Sequence, residues 1–180
     1  MSAQIRREDG MDDAELRAQL ERHHCASFGW ALACCRHDAK EAENTLQTAY
    51  LKILEKKAVF HGRATFKTWL FAVIRRTASE SRRLSLFRSL GLVRYWRAGM
   101  QRERVEDPAE VTHRSEIQSL FRQAFAGLPQ RQREVLHLVF YQDLSIAEAA
   151  GVLGISLGTA RVHYERGKRQ LRDRMEATRH

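Results

Sequence analysis

Between Asp143 and Arg169 the apolar positions change phase twice and outline two helices joined by a tight turn. Ile146, Ala149, Ala150 and Leu153 recur at helical spacing and make one apolar face. Ser145 precedes that run with Glu148 three residues on, the spacing of a capping box. Ala149 and Ala150 are small enough for a second helix to cross closely. Gly154 follows Leu153 and can take the positive φ that ends a helix. Ile155 fills the corner, and Ser156 can cap the next helix. That helix carries Thr159, Arg161, His163, Arg166, Lys168 and Arg169 around an apolar seam of Leu157, Ala160, Tyr164 and Leu171. A cationic second helix behind a short first one is the layout that places one helix in a DNA groove.

The same period divides the rest of the chain into helices. Asp12 or Asp13 can cap a first helix to about Arg36, with Leu16, Leu20, Phe28, Ala31, Leu32 and Cys35 turned inward. Asp38 can cap a second helix to about Lys57, with a core stripe of Ala42, Leu46, Ala49, Tyr50, Ile53 and Leu54. After a loop at His61, Gly62 and Arg63, Thr65 opens a third helix to about Leu84. Phe66, Trp69, Leu70, Val73 and Ile74 share one side of it. These helices predict one bundle over residues 12–84. Residues 85–114 lack a steady period and read as a linker, with room for a short helix near Leu86–Trp96. Helices at 115–126, 130–141, 145–152 and 156–176 predict a second bundle over 115–176, with Pro129 at a helix start. The fold class is all-α, two small bundles joined by a linker.

Charge sharpens the reading. The 180 residues carry a formal net charge of +9 that is unevenly spread. Residues 61–104 hold eleven Lys/Arg against two acids, and residues 154–180 hold seven against three. The segments before each are near neutral or acidic. Two segregated basic blocks suggest two contacts on one nucleic acid. No apolar stretch approaches the ~20 residues of a membrane span. The first residues lack the apolar core of a secretory signal. Three cysteines, an odd number, fit a reducing cytoplasm. His23, His24, Cys25, Cys34, Cys35 and His37 are zinc-ligand types. On one straight helix, however, Cys25 and Cys34 would point about 180° apart. The expectation is no metal and no cofactor, with the cysteines as buried small hydrophobes. No nucleophile–base pair or phosphate-cradling glycine loop suggests an enzyme.

Three segments resemble the extracytoplasmic-function sigma factors, the minimal promoter-recognition subunits of RNA polymerase. They are AENTLQTAYLKIL at 42–54, FHGRATFKTWLFAVIRRTASESRR at 60–83, and LPQRQREVLHLVFYQDLSIAEAAGVLGISLGTARVHYERGKRQLR at 128–172. The FxGxxxFxTWL pattern before a cationic helix is the most specific of them. The resemblance implies a region 2 domain at 12–84, binding core polymerase and the −10 element. It implies a region 4 domain at 115–176, binding the −35 element. Arg75, Arg76, Arg82 and Arg83 would lie near −10 DNA, where arginines can hold phosphates. The 58–65 loop resembles the one that captures a flipped base. Gly62 and Arg63 lie in it, and Phe60 and Phe66 are candidates for stacking on bases or for the core. Trp69 reads as core. At −35, Arg161, Val162 and Arg166 would face bases and phosphates, while Ser156, Thr159 and Lys168 would hold the backbone. Glu165 would either pair with Arg161 or accept from a cytosine amine.

The resemblance also assigns the helix at 41–54 to polymerase binding, through Glu41, Glu43, Leu46, Gln47 and Tyr50. Asn44 and Thr48 stand where the family tends to have acids, so Thr45 and Thr48 are candidates for a phosphate that restores the charge. The partners implied are core polymerase and promoter DNA, with an anti-sigma factor or a kinase open as controller. The rivals are a stand-alone helix-turn-helix transcriptional regulator and an adaptor that binds polymerase without starting transcription.

Overall fold

Eight helices account for the regular structure in the computed structural model, which describes the backbone of residues 11–92 and 113–177. They are α1 (Asp13–Arg22), α2 (His24–Cys34), α3 (Ala39–Leu54), α4 (Phe66–Leu92), α5 (His113–Ala126), α6 (Gln130–Phe140), α7 (Ile146–Leu153) and α8 (Leu157–Ala177). No strand occurs among the described residues. None of their helices is long and apolar enough to cross a membrane.

Helix ends follow local chemistry. The Asp38 side chain accepts the Glu41 amide at 2.9 Å and starts α3. Thr65 Oγ1 accepts the Thr68 amide ahead of α4. At α7 both halves of the capping box form: Ser145 Oγ accepts the Glu148 amide, and the Glu148 carboxylate accepts the Ser145 amide. Gly154, at φ 61°, closes α7, and Ser156 Oγ accepts the Thr159 amide to open α8. The turn costs little at glycine because no Cβ crowds the left-handed region.

Two element expectations fail. The first expected helix is broken at His23, whose φ of −98° and ψ of 5° lie in the sparsely allowed bridge region. Its ring stacks on Phe66 with centroids 6.0 Å apart, so a tertiary contact rewards the break. Helix α4 runs past the expected end at Leu84 to Leu92, taking up the start of the expected linker. Helix α5 takes in the last two residues of that segment, His113 and Arg114, and residues 93–112 lie outside the described residues, as does the end of the helix expected near Trp96.

The apolar residues of the two helix groups do not form separate cores. Trp30 on α2, Ile53 on α3, and Leu70, Phe71 and Ile74 on α4 join Val135 and Leu138 on α6 and Ala149, Val152 and Leu153 on α7 in one cluster. Trp30 is fully buried and donates through Nε1 to the Phe71 carbonyl at 3.0 Å. A smaller cluster of Phe125, Leu128 and Leu136 holds α5, α6 and α8 together, with Leu171 and Tyr164 at its edge. Cys34 and Cys35 are core residues, and the Cys35 sulfur lies 3.4 Å from the Thr45 hydroxyl. Cys25 is exposed, contrary to expectation: nine residues before the buried Cys34, it falls on the opposite side of α2.

His137 lies against Trp30 at 5.5 Å between ring centroids, and next to Tyr141 and Gln142. Burial, and secondly His37, push its imidazole down to about 4. An unfolded histidine takes up a proton below about 6.5, whereas the folded one stays neutral to about pH 4. The unfolded chain therefore binds more protons in that window. Stability should fall as pH drops through it, by at most roughly 3 kcal/mol from this group. Urea midpoints at pH 7, 5.5 and 4.5 should fall more steeply for the native chain than for His137→Gln. Parallel slopes would show that His137 is not the group responsible.

Candidate nucleic-acid interface

Helix α8 is seated by its smallest residues. Ala160 is fully buried, and Gly167 lies so close to α6 that a Cβ there would meet the Leu136 side chain at 2.9 Å. At ~100° per residue, Val162, Glu165 and Arg169 then point directly away from α6, with Arg161 and Arg166 on the flanks. Arg161, Val162, Glu165, Arg166 and Arg169 are all exposed. Ser156 and Thr159 share a hydroxyl contact of 2.8 Å at the helix start. Lys168 turns back over the Tyr164 ring at 5.1 Å. Glu165 does not pair with Arg161 among the described ion pairs; both side chains extend into solvent, where such a pair is worth little. Arg169 is the residue sequence reasoning left out of the reading face. Its place beside Val162 and Glu165 on a helical wheel was the available signal.

The second basic region is built on α4 and the loop before it. Gly62 takes φ 67° with open space around it, so the loop turns there without strain. Arg63 is exposed in that loop. Phe60, Phe66 and Trp69 form a three-ring cluster with centroids 5.3–5.5 Å apart. Their burial separates the alternatives left open for Phe60 and Phe66 and departs from expectation at Trp69. Phe66 is 8% exposed and belongs to the core, wedged under the other two, so it cannot stack a base. Trp69, expected in the core, is only half-buried, as is Phe60. Phe60 and Trp69 are the rings of this cluster that stay partly exposed.

The arginines of α4 divide three ways. Arg83 is exposed and Arg76 reaches Glu80 at 3.5 Å on the open surface. Arg82 bonds back to the Ala78 carbonyl. Arg75, expected near DNA, instead faces α6, where it meets Glu134 at 3.5 Å with its own side chain 15% exposed. The expectation missed this because α6 lies 59 residues away in sequence. Glu134 is 1% exposed and also accepts from Gln130 and Arg131. Burial pushes its carboxyl up, against the pull of Gln130 and the surrounding arginines.

Helix α3 presents a third surface. Glu43, Gln47 and Thr48 are exposed, and Glu41 partly so. Leu46 is 4% exposed and packs in the core, which removes it from any docking surface. Thr45 is 3% exposed beside Cys35, beyond the reach of a kinase while the chain is folded. Tyr50 is half-buried, its hydroxyl 3.3 Å from His24. Leu51 and Leu54 are 56% and 47% exposed and continue the stripe of Glu43 and Gln47. Leu54 was expected in the core. With Leu46, Ile53, Leu51 and Leu54, the helix has more leucine and isoleucine than one buried face can hold, and that excess was the readable sign.

The chain is similar to known proteins. A sequence model of the family described as "Sigma-70, region 4" matches residues 118–171. The ECF RNA polymerase sigma factor SigX of Bacillus subtilis strain 168 is 31% identical over 147 residues, 79% of this chain and 74% of the relative. SigL of Mycobacterium tuberculosis, strain CDC 1551 / Oshkosh, also an ECF RNA polymerase sigma factor, is 29% identical over 154 residues, 84% of each chain. The sigma factor RpoE from Bartonella quintana, solved with the anti-sigma factor NepR, shares the fold at TM-score 0.63. That match covers 89% of this chain and 96% of that one at 20% identity.

Proposed function

This chain belongs to the extracytoplasmic-function family of RNA polymerase sigma factors, and from that premise we propose how its three surfaces divide the work of starting transcription. It directs core RNA polymerase to promoters. The observation that carries this reading is the joining of a cationic helix-turn-helix with a loop-borne aromatic cluster and an arginine-bearing helix in one chain. Sigma-factor relatives match across 147 residues, well beyond the helix-turn-helix, and that sets aside a stand-alone regulator. The chemistry of RNA synthesis belongs to polymerase, and the chain supplies position.

The helices expected over 12–84 act as region 2, and those over 115–176 as region 4. Helix α8 reads the −35 element through Arg161, Val162, Arg166 and Arg169, with Ser156, Thr159 and Lys168 on the backbone. An arginine bidentate to guanine there supplies about 1–3 kcal/mol of discrimination. Phe60 and Trp69 hold the −10 bases exposed by strand separation, and Arg63, Arg76, Arg82 and Arg83 hold its phosphates. Glu41, Glu43, Gln47, Tyr50, Leu51 and Leu54 on α3 dock on core polymerase in the cytoplasm. An anti-sigma protein is a controller of this chain, by extension from RpoE with NepR and from CnrH, solved with the cytosolic domain of CnrY.

Run-off transcription with purified core polymerase and the DNA upstream of the chain's own coding sequence tests the reading. A discrete transcript that requires the chain is expected. No transcript and no co-purification with core would overturn it. Thr48 is the phosphorylation candidate that accessibility leaves. It is exposed, and its hydroxyl donates to the Asn44 carbonyl at 2.7 Å. A phosphate there adds nearly two negative charges to the docking surface. Thr48→Glu is therefore expected to bind core polymerase several-fold more tightly than Thr48→Ala in a titration; equal affinities dispose of the idea.

A further inference from the structure

We propose that Glu165 is a specificity-determining residue of the promoter contact, its carboxylate accepting a hydrogen bond from the N4 amino group of a cytosine in the −35 element. The proposal rests on the sigma-factor reading above and names a base that the element has to carry. Glu165 is exposed on the half of α8 that also presents Arg161, Arg166 and Arg169. It is the only acid from Leu157 to Arg169. A carboxylate there repels every phosphate the helix approaches, so it weakens binding to any duplex that offers it no donor.

Two roles within the fold would account for the residue without DNA, and the geometry favours neither. Packing does not need it, because α8 is seated on its opposite side through Ala160 and Gly167. As an ion-pair partner it has Arg161 and Arg169 four residues to either side, the spacing that brings charges together on a helix. Among the described residues it closes neither pair and makes no hydrogen bond. Farther along the same helix such pairs do close. Arg172 lies 3.7 Å from Asp173 and 4.0 Å from Glu176. The acid on the DNA-facing half is the uncommitted one.

Shape and hydrogen-bond chemistry select the base. From Arg161 to Arg166 the outward face is short at its centre, Val162 and Glu165, and long at its flanks, Arg161 and Arg166. Short side chains let the helix approach the base edges, while the flanking arginines reach the groove walls. Val162, 47% exposed, is an apolar side chain suited to a thymine methyl. In the major groove cytosine N4 and adenine N6 donate, whereas guanine and thymine present acceptors that repel a carboxylate. Adenine sets its N7 acceptor beside N6, against the second carboxylate oxygen; cytosine sets a C–H there. Cytosine is therefore the base that accommodates Glu165. Arg161 and Arg169 lie ~6 Å from it along the helix axis, within two base steps of ~3.4 Å. Guanine within two steps of the cytosine is the expected partner of one of them.

A library of the upstream DNA used for run-off transcription, with the base pairs of its −35 element randomised, tests the assignment. The library is selected by binding to core polymerase loaded with the full chain, and the bound DNA is sequenced. The native chain should enrich cytosine at one position about 10-fold or more over guanine and thymine. Glu165→Gln should move the preference at that position to adenine, whose N6 and N7 a glutamine meets as a bidentate pair. Glu165→Ala should flatten that position and leave the others within about twofold. Arg161→Ala should leave the cytosine preference in place. Absence of a cytosine preference in the native chain overturns the assignment, as does a preference that both Glu165 variants retain. So does loss of one and the same guanine preference in Glu165→Ala and Arg161→Ala, which would make Glu165 a support for Arg161. The sigma-factor reading survives those three results. A chain that neither co-purifies with core nor yields a transcript defeats that reading and this assignment with it.

Discussion

Truncating Trp30 to alanine is expected to lower the stability of the chain by about 3–5 kcal/mol, the usual cost of removing a buried aromatic side chain. Trp30 is fully buried, stacks on Phe71 at 6.1 Å and lies against His137 at 5.5 Å. Its side chain touches both helix groups at once. Its loss opens a cavity at their junction and removes the hydrogen bond to the Phe71 carbonyl. Trp30→Phe keeps most of the ring and should cost about half as much. Urea unfolding followed by far-ultraviolet circular dichroism measures both. A loss under about 1 kcal/mol for Trp30→Ala would show that the shared core does not depend on it. Loss confined to one of two resolved transitions would show the groups folding independently.

Trp30 also marks where sequence reading stops. The α7–α8 turn was legible almost residue by residue, because Ser145, Glu148 and Gly154 act on their own neighbours within four positions. The start of α3 at Asp38 was legible for the same reason. Trp30 sits in a run of small residues, Ala31, Ala33, Cys34 and Cys35, that has no strong apolar period. Its partners lie 41 residues away on α4 and farther still on α6. The break at His23 depends on Phe66, and the burial of Arg75 depends on Glu134; neither partner is local. The errors on α3 have a different cause. Leu46 and Leu51 are the same residue type on one helix, one 4% and the other 56% exposed. Composition cannot separate them, and only the phase set by Ala42, Ala49 and Ile53 can.

The same difference in burial makes the aromatic cluster testable. Phe60→Ala combined with Trp69→Ala is expected to weaken binding of a single-stranded non-template oligonucleotide by 10-fold or more, while binding of the −35 duplex stays within about twofold. Each base stacked on an aromatic ring is worth about 1–3 kcal/mol, and duplex bases offer no free face to stack. Phe60 and Trp69 are half-buried, with ring centroids 5.3 Å apart and planes tilted by 54°. One side of each ring rests on Phe66, which is 8% exposed. Phe66→Leu should therefore act differently, lowering the unfolding midpoint with little change in single-strand affinity of the chain that remains folded. Fluorescence of 2-aminopurine placed in the −10 element reports base capture directly. Its rise on complex formation should disappear in the double variant and persist in Phe66→Leu. Equal losses on single strand and duplex would mean that the three rings only hold the loop in place, with the bases held by Arg63 and the arginines of α4.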